Sequence, residues 1–252
     1  MDNRITKRRV AIHFEYDWLK YIAIIIASVF VCYITFSAIN ATREYEKIEI
    51  FVTSYAQNEY SMDEDFLTTV KAEGDDYMRE VLVHCNSTLD PEYTTLFQGH
   101  GPSCDLLIIP KSMMDRSAGA YKWLTDEMIA DIFTPEEGEQ FNVDVSALEY
   151  YEYDASVVPD GKGEPLANGR KYGIRVDNLK KMKVQNAPFV FDYSKLDDKY
   201  NPDEEEEPLD TQFYLVINPK SIKIGEYGKK AEYHHLKQTF RFIRWFLNEY
   251  AV

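Results

Sequence analysis

Apolar residues fall into three patterns along the chain: one long unbroken block, several short β-branched runs, and one amphipathic stripe at the C-terminal end. The block comes first. From Tyr21 to Thr42 there is no charged residue. Roughly 20 apolar residues on a helix cross the bilayer's hydrocarbon core, about 30 Å thick. A core helix of a globular domain would show a polar face, and this block has none. Tyr16, Trp18 and Tyr21 stand where an interfacial aromatic belt belongs, and Lys20 is placed to snorkel outward. The pattern predicts a transmembrane signal-anchor helix over residues 21–42.

The short runs come next. KIEIFVT (Lys47–Thr53), EVLVHC (Glu80–Cys85) and CDLLII (Cys104–Ile109) read as strands. Between the first two, Ser61 and Glu64 fit a capping box ahead of Phe66, Leu67 and Val70. Between the second and third, Asp90-Pro91-Glu92 marks a helix start, with Tyr93, Leu96 and Phe97 facing inward. Strand–helix–strand–helix–strand with continuous apolar strands predicts a parallel sheet covered on both faces. A helix in two pieces, broken near Thr125, is expected over Ala120–Phe133. Phe141–Val158 alternates and holds Tyr150, Tyr151 and Tyr153. Asp160–Gly163 reads as a turn, and Lys171–Val176 and Phe213–Asn218 as further strands. Leu236, Phe240, Ile243, Leu247 and Tyr250 recur at helical spacing, with Lys237, Arg241, Arg244 and Asn248 on the other side. The predicted class is α/β.

Charge adds orientation. The chain has 252 residues and a net charge of −15. Residues 1–41 hold five basic and three acidic side chains, a net +2, which leaves −17 on residues 42–252. Arg4, Lys7, Arg8, Arg9 and Lys20 precede the apolar block, so the positive-inside rule places residues 1–20 in the cytoplasm and residues 43–252 outside. A cleaved signal peptide has an apolar core of about 7–15 residues, shorter than this block. Phe36 and Ile39 spoil the small-residue cleavage pattern around Ala38 and Ala41, and Val31 before Cys32 fits no lipoprotein signal. An uncleaved, single-pass anchor in the cell membrane, with the bilayer as partner, is the expectation. An acidic outer domain excludes a nucleic-acid partner, which needs a basic surface. An aromatic content of 14% excludes a disordered chain. The run Asp203–Glu207, within residues 197–210, reads as a solvated acidic loop, without the glycine and alternating oxygens of an EF-hand.

The outer domain resembles the periplasmic-binding-protein-like fold, in the type II class of extracytoplasmic solute-binding proteins. The resemblance is carried by KIEIFVTSY, EVLVHC, GPSCDLLIIP, KYGIRV and FYLVINPKSIKIG, and spans most of residues 46–250. It implies a three-layer αβα domain, a small solute as ligand, a bacterial source and a transporter membrane subunit as partner. One departure stands out. About 35 residues separate Val176 from Gln212, whereas a full second lobe needs on the order of 100. The alternative is a structural or accessory subunit that docks protein and binds no small molecule.

In open α/β sheets, ligands bind outside the carboxyl ends of the strands. Those ends here offer Thr53, Ser54 and Tyr55, then Asn86 and Ser87, then Lys111 and Ser112, as candidate solute contacts. The same residue types also cap the helices that follow such strands. His84, Cys85, His100 and Cys104 have the chemistry of zinc ligands. Against zinc, adjacent His84 and Cys85 point to opposite faces of a strand. Cys85 ends one strand and Cys104 begins the next, roughly 15 Å apart, too far for a disulfide. Two buried thiols are expected, and no metal. No nucleophile elbow, zincin motif, P-loop or dinucleotide fingerprint is present. The expectation is a protein without enzymatic activity and without a cofactor, a surface hydrolase ranking last among its readings.

Overall fold

The structure is a computed structural model that describes residues 7–42, 46–56, 62–74, 78–156, 167–183, 187–191, 212–221 and 233–251. The chain divides into two units, Met1–Arg43 and Glu44–Val252. The first is one helix, α1 (Lys7–Asn40), of 34 residues. Within it, Glu15–Ile39 is long and apolar enough to cross a membrane, its most apolar 18 residues having a mean hydropathy of 2.5. The helix is thus longer than the predicted span and runs back through the basic flank. Lys20 pairs with Asp17 at 2.7 Å, one turn earlier. Ile24, Ile25, Ile26, Val29 and Phe30 are exposed all around it, which is how a helix solvated by lipid would present itself.

The second unit is built on a sheet. Its strands are β1 (Lys47–Val52), β3 (Glu80–Cys85), β4 (Leu106–Pro110), β5 (Tyr150–Glu152), β6 (Lys171–Arg175) and β8 (Phe213–Ile217). A separate pair joins β2 (Tyr55–Ala56) to β7 (Phe189–Val190). The strand order is β3-β1-β4-β8-β6-β5. β1, β3 and β4 are parallel, as their apolar runs predict, with Lys47 opposite Glu80 and Ile50 opposite Leu106. The later strands, to which the sequence assigned no direction, make the sheet mixed. β8 runs antiparallel to both β4 and β6, and β5 antiparallel to β6. The class is therefore α/β with a mixed sheet.

Helices cover both faces. On one, α2 (Met62–Ala72), α5 (Asp126–Phe133) and α6 (Tyr233–Ala251) bury Phe66, Val70, Met128, Ile132, Phe240, Ile243 and Phe246 against Ile48, Ile50, Leu106 and Leu215. On the other, α3 (Tyr93–His100) and α4 (Lys111–Ser117) lie over Phe51, Leu107, Ile109 and Val216. Tyr93 and Phe97 supply the inner face of α3, at ring distances of 6.2 and 5.2 Å from Phe51.

Several local expectations shift. Pro91 and Glu92 form a turn, and α3 starts at Tyr93 with no side-chain cap. The two-piece helix over 120–133 is a short 3-10 turn, Ala118–Ala120, then an extended stretch, then α5. Leu124 bridges to Lys171 in that stretch, and Thr125 caps α5 by accepting from the Met128 amide at 3.2 Å. The acidic loop, the Asp160–Gly163 turn, Ser61 of the capping box and the Leu236 side chain lie outside the described residues.

One close approach constrains the sheet centre. A methyl group on Gly173 in β6 would stand 2.8 Å from Val216 Cγ1 and 3.1 Å from Tyr214 Cβ. Both neighbours belong to β8, which is buried along its whole length and has little room to give. Gly173→Ala should therefore destabilise the domain by about 1–3 kcal/mol, read as a lower urea midpoint at unchanged slope.

Candidate functional site

At the carboxyl ends of the parallel strands, most candidate solute contacts are engaged within the chain. Thr53, Ser54 and Ser87 have no exposed surface (0% each). Thr53 Oγ1 shares a hydrogen bond with Tyr93 Oη at 3.3 Å, and Ser54 Oγ donates to the Val190 carbonyl at 2.5 Å. Ser87 Oγ accepts from the Leu89 amide, which is the turn-capping role such residues commonly play. Tyr55 is spent on the small β2–β7 ladder. Asn86 donates to Asp90, while its buried Oδ1 meets no partner among the described residues. Lys111 pairs with Asp115 at 2.6 Å, and the other Asp115 oxygen accepts from Tyr151 Oη at 2.9 Å. Burial, aided by that carboxylate, pushes the Tyr151 phenol above its ordinary value. Ser112 is exposed at the start of α4. Tyr150 and Tyr151 pack on opposite faces of the sheet, so the tyrosine cluster does not line one surface.

A cleft of about 620 Å³ opens elsewhere, between α2, residues 138–141 and α6. Its walls include Phe66, Glu73, Glu139, Arg241, Arg244 and Asn248. Arg241 and Arg244, expected on the outer side of the last helix, are buried instead. Arg244 makes a forked pair with Glu139 at 2.7 and 2.9 Å and donates to the Ile132 carbonyl at 2.7 Å. Arg241 reaches Glu73 at 2.5 Å and Glu139 at 3.1 Å. The helical period located these residues correctly. It gave no sign that carboxylates from the turn after α2 and from the 134–141 segment fold over them.

A third arrangement lies on the sheet's other face. β1 sits between β3 and the segment leading into β4, so Glu49 is flanked by His84 on one side and Cys104 on the other. One ligand atom from each of these three residues lies within 4.8 Å of the other two. Cys104 is fully buried (0%), and Glu49 and His84 are half-buried. The exposed His100 at the end of α3 stacks on His84, with ring centres 4.2 Å apart. Partial burial, with His100 alongside, holds His84 below the ordinary imidazole range despite the opposing pull of Glu49.

Cys85 takes no part. It packs against the opposite core, where burial pushes its thiol up to about 12. The alternation argument was therefore right for His84 against Cys85, and the two outer thiols form no disulfide. It did not reach the pairing of His84 with Cys104, which needs the strand order, nor Glu49, which the sequence offers only as a polar position in a strand. Compared with known protein families, curated proteins and solved structures, the chain gives no significant match.

Proposed function

We propose that this chain is a single-pass, membrane-anchored module whose α/β domain lies outside the cytoplasm and serves as a docking subunit of a membrane complex. The anchor reading is supported by the stretch Glu15–Ile39, long and apolar enough to cross a membrane and uncharged from Tyr21 onward, and by the basic residues ahead of that block. The docking reading rests on one observation: Thr53, Ser54 and Ser87 are wholly buried at the strand ends where a sheet of this type would receive a solute. A solute arriving there would have to displace hydrogen bonds that the chain already makes to itself. Anchoring confines the domain near the membrane and raises its effective concentration at an integral partner.

The cleft beside α6 favours a second reading, binding of a small solute for a transporter, because its volume falls within the range of ligand sites. Two measurements on full-length protein in mild detergent separate the readings. Crosslinking in native membranes followed by purification should give a membrane partner in fixed ratio, whatever solutes are added. A chain recovered alone, with a melting temperature raised by a sugar, amino acid or peptide, would sink the docking reading in favour of the second. Protease added outside intact cells should degrade residues 44–252, and full protection there would overturn the orientation.

A further inference from the structure

We propose that Glu49, His84 and Cys104 form a binding site for a transition metal ion of the zinc class, with its fourth position open toward His100. The three donors are a carboxylate, an imidazole and a thiol. Zinc accepts all three, at about 2.0–2.3 Å from each, so that tetrahedral ligands stand roughly 3.5 Å from one another. The donor atoms already lie within 4.8 Å of one another, so binding has roughly 1 Å to close between them. A thiol with an imidazole selects zinc-like ions over magnesium or calcium, which take all-oxygen shells.

The scaffold holds these donors from three directions. Glu49 and Asp105 are locked by two backbone contacts, Asp105 N–H to the Glu49 carbonyl at 2.8 Å and Glu49 N–H to Asp105 Oδ2 at 3.0 Å. The loop that delivers Cys104 is gathered by one amide: Asn218 Nδ2 donates to the carbonyls of Gly101, Pro102 and Cys104 at 3.1, 3.2 and 2.7 Å. Gly101 permits this tight turn, since a Cβ there would meet the Phe97 carbonyl oxygen at 2.6 Å. His84 is fixed through β3, whose register puts it opposite Phe51, two residues beyond Glu49 on the same face. Such outer support is what positions metal ligands.

Two neighbours shape the site. Lys47 holds Glu49 Oε1 at 2.6 Å, and Ser103 Oγ donates to Oε2 at 3.4 Å. The Lys47 ammonium opposes binding electrostatically. His100 is exposed and stacks on His84, so it is placed to add a second nitrogen as the fourth ligand; otherwise water completes the shell. Binding deprotonates the Cys104 thiol, and the proton leaves to solvent.

The test is titration of cobalt(II) into the full-length chain, purified in detergent, reduced and stripped of metal. Expected is saturation at one cobalt per chain with a sulfur-to-cobalt charge-transfer band and the visible bands of a tetrahedral ion, both abolished by zinc. Cys104→Ser should lose the charge-transfer band, and Cys85→Ser should keep it. His84→Ala and Glu49→Gln should weaken binding by about tenfold or more. No charge-transfer band in the unmodified chain would overturn the proposal, and that result does not depend on whether any variant folds. A band that persists in Cys104→Ser would overturn it equally.

Discussion

Replacing Arg244 with methionine should lower the stability of the α/β domain by about 3–5 kcal/mol, the cost of leaving a buried charge without its partner. Arg244 and Glu139 each keep only 5% of their side-chain surface. Their forked contact and the bond to the Ile132 carbonyl join α6 to both α5 and the segment after it. With Arg244 gone, Glu139 would retain Arg241 at 3.1 Å, which places the loss toward the lower end of that range. The double variant Arg244→Met, Glu139→Leu should recover much of it, because a buried ion pair replaced by apolar side chains is often close to neutral. Urea unfolding followed by tryptophan fluorescence measures both. A loss below about 1 kcal/mol for the single variant would show that water reaches Glu139 and that the pair behaves as a surface one.

Phe66→Ala should cost a similar amount, about 3–5 kcal/mol, for a different reason. Phe66 is fully buried where α2 meets α6, edge-on to Phe242 at 5.0 Å and to Trp245 at 5.2 Å. Truncation removes the apolar burial, forfeits two aromatic contacts and leaves a void beside an existing cleft. In a domain of this size the melting temperature should fall by roughly 10 °C. A drop of only a degree or two would mean that α2 and α6 collapse into the space.

The contrast between these two sites measures what the sequence carried. Phe66 on α2 and Phe240, Ile243 and Leu247 on α6 were legible as core because helical spacing puts each on the apolar stripe of its own helix. Arg241 and Arg244 were legible as a second stripe, but not as a buried one. Their carboxylate partners, Glu73 and Glu139, lie 168 and 105 residues away. Likewise, the three parallel strands could be read from apolar runs linked by helices, whereas the reversed directions of β5 and β8 could not. An apolar run says that a strand is buried on both faces and says nothing of which way it points. Of the candidate metal ligands, His84 and Cys104 were legible by residue type, but neither Glu49 nor the meeting of the three was. Glu49, His84 and Cys104 meet only if β1 lies between β3 and β4, and no local spacing encodes that order. The strand-end hydroxyls were located correctly at the carboxyl ends, but their burial follows from the β2–β7 ladder and α3, which cover them.

The place of β8 bears on how this domain is made. Among the described residues it is the last strand of the sheet in the chain, and yet it stands inside the sheet, paired on one edge with β4 and on the other with β6. During synthesis, β1, β3 and β4 exist for about 100 residues before β8 follows, a delay of roughly 5–20 s at ordinary elongation rates. Throughout that interval the β4 edge, Leu106–Pro110, has no partner on its β8 side. An unpaired, wholly apolar strand edge is a template for association with other chains. The nascent domain is therefore most exposed to aggregation after its parallel half has formed and before residue 217 emerges, so slowing synthesis between β4 and β8 should lengthen the hazard without altering the finished fold.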